Sequence, residues 1–87
     1  MSYLRQGVEY VDRDEQKVLA EIAYLNSAGR TTNNSQIARI VRFPTTKVRR
    51  IVDGLSARRY ITDVSKGAAH HWRLTDKGKS ARAEGDQ

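Results

Sequence analysis

Apolar residues recur at helical spacing in three stretches of this chain and at alternate positions in a fourth. Residues 1–11 carry only scattered apolar points, Tyr3, Leu4, Val8, Tyr10 and Val11, compatible with a short helix, an extended arm or a contact between two copies. From Asp12 the spacing is helical. Asp12, Asp14 and Glu15 put negative charge on a first turn, where it suits the positive end of the helix dipole, and Val18, Leu19, Ile22 and Leu25 make one apolar face. Asn26, Ser27 and Gly29 end this helix. Thr31, Thr32, Asn33 and Asn34, side chains that favour turns and N-caps, precede Ile37, Ala38, Ile40 and Val41, whose spacing defines a second, short helix. Phe43-Pro44 then breaks the pattern. Proline disfavours helical geometry at the residue before it but is well tolerated at the start of a new helix. In that third helix, residues 45–58, Val48, Ile51, Val52 and Leu55 bury one stripe. Thr46, Arg50, Asp53 and Ala57 face outward, with Thr45 and Arg49 beside them near the N-terminal end.

Period-two alternation follows on either side of Lys66-Gly67-Ala68, so Tyr60 to Val64 and His70 to Leu74 read as two strands of a hairpin. Alternation sets Trp72 and Leu74 on one face and His71 and Arg73 on the other. A small domain needs its large aromatic buried, so Trp72 is expected in the core. Thr75 or Asp76 caps a last helix from Lys77 to Ala83, ahead of a polar, frayed tail at 84–87. The expected fold is mainly α with a small β-hairpin, a three-helix core followed by the hairpin and a short C-terminal helix. One domain over residues 12–83 is preceded by the arm at 1–11.

Composition narrows the function. At 87 residues the core is too small to enclose much of a catalytic cleft. No cysteine means no disulfide framework and no thiolate metal site, and a reducing cytoplasmic setting fits. No run approaches the roughly 20 apolar residues that span a bilayer, and the N-terminus lacks a signal-peptide core, so neither export nor a membrane is expected. The net charge of +6 is unevenly spread: residues 1–29 carry three basic and five acidic groups (−2), residues 30–59 eight and one (+7), and residues 60–87 five and four (+1). Arg30, Arg39, Arg42, Lys47, Arg49, Arg50, Arg58 and Arg59 face the single acid Asp53. Such a cluster is self-repulsive until a polyanion neutralises it, which points to a nucleic acid.

The order helix, helix, turn, helix, hairpin, short helix resembles the winged helix-turn-helix domain, and several positions resemble MarR-type and related small bacterial and archaeal regulators. Ile37-Ala38 meets that pattern in the second helix; Val48, Ile51-Val52-Asp53 and Leu55 meet it in the third; Leu74-Thr75-Asp76-Lys77-Gly78 matches the wing exit Leu-Thr-x-x-Gly. Arg58, Arg59, Tyr60 and Ile61 meet the descent into the wing in part, because Arg59 stands where glycine is usual. The wing SKGAAHH lacks the acidic and arginine pattern of MarR wings, so minor-groove reading at its tip is not carried over. The further helices that build the MarR dimer and ligand cleft have no counterpart, and no small-molecule ligand is inferred. A Z-form nucleic acid binder needs an Asn and a Tyr on the third helix, where Arg49 and Asp53 stand.

What the resemblance implies is a double-stranded DNA-binding protein, regulating transcription, with helix 45–58 in the major groove and the wing 61–74 on flanking backbone. Arg49 and Arg50 can bond guanine O6 and N7, and Thr45, Thr46 and Lys47 can reach phosphate or thymine edges. Arg39 and Arg42, with Arg30 nearby, lie beside the backbone, and Lys66, His71 and Arg73, with His70, extend the contact through the wing. Asp53 is expected to pair with Arg49 or Arg50 on the same helix. His70 and His71 point to opposite faces with no third ligand, so no metal is expected. No nucleophile and base pair, glycine-rich phosphate loop or paired carboxylates stands out, so neither an enzyme nor a cofactor is expected. The alternatives are a non-specific architectural or replication accessory protein, localised to the nucleoid like the regulator, and a winged module that binds an acidic protein; RNA is a weaker third. A homodimer through Tyr3, Leu4, Val8 and Tyr10 would extend a short site.

Overall fold

The computed structural model describes residues 11–67 and 70–85, with side chains up to Ala81. The arm at 1–10, with its proposed dimer contacts, and wing residues 68–69 lie outside this range. Four helices and two strands follow in the order α1 (Arg13–Ser27), α2 (Asn34–Val41), α3 (Thr45–Ala57), β1 (Ile61–Asp63), β2 (Trp72–Leu74) and α4 (Asp76–Gly85).

Each helix begins where a side chain or a proline commits it. Asp12 and Glu15 form a reciprocal capping box on α1, with N–H to carboxylate distances of 2.8 and 3.0 Å. Asn33 caps α2 by accepting the Gln36 N–H at 2.9 Å. The Thr75 hydroxyl accepts the Gly78 N–H at 3.1 Å, so Thr75 rather than Asp76 is the cap of α4. That helix reaches Gly85, two residues into the segment read as tail. Only α3 lacks a side-chain cap; Pro44 stands in the N-cap position with extended backbone.

The apolar stripes meet as their spacing predicts. Val18, Leu19 and Ile22 of α1, Ile37 and Ala38 of α2, and Val48, Ile51, Val52 and Leu55 of α3 are buried together. Tyr60, Ile61, Trp72, Leu74 and Ala81 close the core from the hairpin side, and Val11 and Phe43 pack against its rim. Ile40, expected on the apolar face of α2, is instead 59% exposed. An eight-residue helix touching the core through Ile37 and Ala38 has no room to bury a neighbour on its far side.

The strands are shorter than their alternation suggested. Ile61 pairs with Leu74, Thr62 with Arg73 and Asp63 with Trp72, antiparallel, and one further bond runs from the Val64 N–H to the His71 carbonyl at 2.9 Å. Thr32 supplies an unexpected third member of the sheet. Its carbonyl accepts the Trp72 N–H at 2.8 Å, forming a bridge on the free side of β2, and its hydroxyl is wholly buried against Gln36. Asn26, read as a helix breaker, is the last-turn residue that ties α1 to the wing: its Oδ1 accepts the Leu74 N–H at 2.9 Å, and its Nδ2 donates to the Arg30 carbonyl at 2.9 Å.

The far end of the hairpin is folded by one carboxylate. Asp63 accepts the Ser65 N–H at 2.9 Å and the His71 N–H at 3.1 Å, and it takes a close hydrogen bond from His70 Nδ1. His70 in turn stacks on Trp72 with ring centroids 5.4 Å apart. The His70 bond first, and then those of Ser65 and His71, hold the Asp63 carboxyl well below the usual carboxylate range. Because the folded-state value is depressed, the carboxylate stabilises the wing above its unfolded value of 3.8 and that contribution is lost as the pH falls below it.

Four substitutions test this geometry. A Cβ on Gly78 would lie 2.0 Å from the Tyr60 carbonyl oxygen, whereas one on Gly54 meets nothing within 4 Å. Gly78→Ala should therefore destabilise by about 3 kcal/mol and Gly54→Ala, in a helix interior, should stabilise by about 0.5–1 kcal/mol, both read by urea unfolding. Asn26→Ala should remove about 1–2 kcal/mol by leaving the Leu74 amide without a partner. Asp63→Asn should lower the melting temperature at pH 7 and flatten its decline between pH 4 and pH 2, as thermal melts across that range would record.

Candidate nucleic-acid interface

Six of the eight basic residues between positions 30 and 59 reach outward. Arg30, Arg39, Arg42, Arg49, Arg50 and Arg59 are exposed, and no ion pair or hydrogen bond engages their side chains among the described residues. The other two are held within the molecule. Lys47 Nζ pairs with Asp14 at 2.8 Å and sits 4.2 Å from the centre of the Phe43 ring. That pairing, through the Lys47 hydrogen bond above all, draws the Asp14 carboxyl below its ordinary value. Arg58 pairs closely with Glu15 of α1, and its Nε donates to the Gly54 carbonyl at 3.3 Å. Arg58 and Lys77 also face the Tyr60 ring, at 5.3 and 4.7 Å from its centre.

Helix α3 places the readout candidates. Val48, Ile51, Val52 and Leu55 anchor one side, which turns Thr45, Thr46, Arg49, Arg50 and Asp53 to the surface. The expected pairing of Asp53 with Arg49 or Arg50 is absent among the described residues. An exposed pair one helical turn apart gains only about 0.3–0.5 kcal/mol, too little to fix two mobile side chains. Lys47 belongs to the same first turn but points to the α1 side, where Asp14 and Phe43 hold it. Its place in the first turn, from which it was expected to reach phosphate or thymine edges, carries no information about those two partners.

The wing separates its candidates as well. Arg73 is exposed on β2 between buried Trp72 and Leu74, and Lys66 is exposed at the turn. His71 is half-buried, with its Nδ1 3.2 Å from the Thr31 hydroxyl, so it lies between the wing and the loop before α2 rather than alongside Arg73. Trp72 is a core residue, 4% exposed, with Nε1 donating to Asn34 Oδ1 at 2.7 Å. Among the described residues no cluster of three His, Cys, Asp or Glu could hold a metal ion, and no helix is long and apolar enough to cross a membrane.

The residues that sequence reasoning missed are structural ones that shape this surface: Asn26, Thr32 and Asp63. Each is a small polar residue of the kind that also occupies turns, and nothing local distinguishes a turn residue from a long-range brace.

No family model and no curated sequence matches the chain. Solved structures do. A protein of Archaeoglobus fulgidus superposes with a TM-score of 0.77 at 20% identity, covering 95% of this chain and 89% of its own. MepR, a transcription regulator of the Staphylococcus aureus multidrug efflux pump MepA, gives a TM-score of 0.73 at 14% identity over 95% of this chain and 59% of its own. The adhesin competence repressor AdcR of Streptococcus pyogenes gives 0.70 at 13% identity over 93% and 59%. The chain spans just over half the length of these two regulators. With three helices, a two-stranded wing and a closing helix superposing along nearly its whole length, the chain has the winged helix-turn-helix fold.

Proposed function

We propose that this protein binds double-stranded DNA as a transcription regulator, with α3 in the major groove and the wing on the flanking backbone. The observation that carries the reading is the outer face of α3, where Arg49 and Arg50 are exposed without an intramolecular partner, as are Arg30, Arg39 and Arg42 elsewhere on the surface. Charges left unneutralised at this density are stabilised by a polyanion, and a guanidinium free of internal bonds can meet guanine O6 and N7 in a groove about 12 Å wide. The absence of a side-chain cap on α3 adds to this, because the amides at its N-terminus and the helix dipole remain available to a phosphate. MepR and AdcR, a regulator and a repressor of the same architecture, support the regulatory reading.

In this arrangement Arg49 and Arg50 specify, together with Thr45 and Thr46, while Arg39, Arg42, Lys66 and Arg73 position the protein on phosphates. Lys47 and His71 contribute less than the rest, since Asp14 and Phe43 compete for one and Thr31 for the other. Two copies on a two-fold site would double a short readout, and sedimentation of the DNA complex tests for a dimer.

The deciding experiment is fluorescence anisotropy of a labelled mixed-sequence duplex at low and near-physiological salt, followed by selection from a random pool. Binding should be strong at low salt and fall steeply as salt rises. Arg49→Ala and Arg50→Ala should each lose about 1–3 kcal/mol of discrimination at particular base pairs. Arg39→Ala and Lys66→Ala should weaken all duplexes alike and reduce the salt slope by about one each. If all four variants behave alike, the protein coats DNA without reading it; if the duplex is not bound at low salt, DNA is not its partner.

A further inference from the structure

Three helices of this protein end on a residue in the left-handed region, a glycine after α1 and an arginine after each of α2 and α3. After α1 the Gly29 N–H bonds the Asn26 carbonyl and the Arg30 N–H the Leu25 carbonyl, with Gly29 at φ 76°. After α3 the Arg59 N–H bonds the Ser56 carbonyl and the Tyr60 N–H the Leu55 carbonyl, with Arg59 at φ 67°. After α2 the Phe43 N–H reaches the Ala38 carbonyl and Arg42 stands at φ 63°. At such a position a glycine is the residue of least strain, because any Cβ crowds the following carbonyl. Gly29 demonstrates that this fold accepts glycine there. Arg42 and Arg59 are the only non-glycine residues with positive φ among the described residues, and both are exposed arginines without an internal partner.

Folding gives no reason for these two side chains. Each lies at a helix C-terminus, where a cation is favoured by the dipole, but solvent screens that attraction and the steric preference for glycine exceeds it. Arg59 moreover stands next to Arg58 and near Lys77, whose Nζ donates to the Arg58 carbonyl at 2.8 Å, so its charge adds to local repulsion. Strain retained at an exposed cation points to something outside the chain.

Their positions indicate what. Arg42 precedes the first residue of α3 by three positions and Arg59 follows its last by two, so the pair brackets the recognition helix. Thirteen residues at 1.5 Å each make α3 about 20 Å long, more than the roughly 12 Å width of the major groove. A helix of that length lying in the groove brings its two ends toward the two phosphodiester strands that wall it. We propose that Arg42 and Arg59 are phosphate contacts at opposite ends of α3, holding the helix in register between the two strands. This inference rests on the DNA-binding reading above and adds to it a contact, Arg59, beyond the outer face of the helix.

The test compares Arg42→Gly, Arg59→Gly, the double variant and the lysine substitutions at both positions, measuring thermal unfolding and affinity for one duplex between 0.05 and 0.3 M salt. Glycine at either position should raise the melting temperature by about 3–6 °C. The same substitution should weaken the duplex complex about eightfold at 0.1 M salt and about sixtyfold in the double variant, with the salt slope smaller by about 0.9 per arginine. Lysine keeps the charge and the strain, so melting should be unchanged and most of the affinity retained. A glycine variant that melts higher and binds as tightly as the parent overturns the proposal, since its arginine would then be idle. A variant that melts lower also overturns it, because the arginine would be serving the helix end. Failure of the parent protein itself to bind duplex at low salt removes the DNA-binding reading and this proposal together, an outcome distinct from both.

Discussion

Burying an indole in so small a domain requires that its one polar atom find a partner inside, and that requirement organises this molecule. Trp72 donates from Nε1 to Asn34 at the first turn of α2, and its main-chain N–H bonds Thr32 in the loop before it. Its ring carries His70, which in turn bonds Asp63 across the hairpin. The next residue pair along β2 is fixed by Asn26 of α1, through the Leu74 amide. Trp72 and Leu74 together thus join the wing to α2 and α1, and Asn26 Nδ2 also donates to the Trp72 carbonyl at 3.5 Å. A buried donor without an acceptor would cost about 1–3 kcal/mol, a large share of the stability of a domain this size.

With the wing and α1 set, the charges divide into two groups by what lies opposite them. Lys47 and Arg58, at the two ends of α3, find Asp14 and Glu15 on the first turn of α1. The acidic start of one helix thus serves twice: it favours its own N-terminus and draws in cations that would otherwise add to the basic surface. The remaining arginines between residues 30 and 59 make no ion pair among the described residues and keep their charge on the outside. The result is a helix α3 whose flanking cations hold it on the core while Arg49 and Arg50 stay exposed and unpaired among the described residues.

The same separation holds α3 rigidly on a domain with one small core. Helix α3 is buried along one stripe against α1, clamped at both ends by ion pairs and continued into β1 through the turn at Arg58 to Tyr60. Close approach of Gly78 to the Tyr60 carbonyl then seats α4 against the turn that follows α3. Little freedom is left for α3 to move relative to the wing, so the outer faces of the two keep a fixed relation.

The sequence by itself determined the helices and their buried faces, the hairpin, the burial of Trp72 and the concentration of positive charge between residues 30 and 59. These are legible because a helix or strand reports its buried side through spacing within one element, and net charge is additive along the chain. The candidate site was legible in part. Arg39, Arg42, Arg49, Arg50, Lys66 and Arg73 are exposed, whereas Lys47 and His71 are turned to partners elsewhere. Only the tertiary structure decided which cations stay free, since that depends on acids 33 and 43 positions away in sequence, Asp14 for Lys47 and Glu15 for Arg58. It alone bridged Thr32 to Trp72 and made Asn26 a clamp on Leu74, 48 positions distant. It alone revealed left-handed backbone at Arg42 and Arg59. A polar side chain looks the same in a turn as in a long-range brace, and its role is set by what the fold brings opposite it.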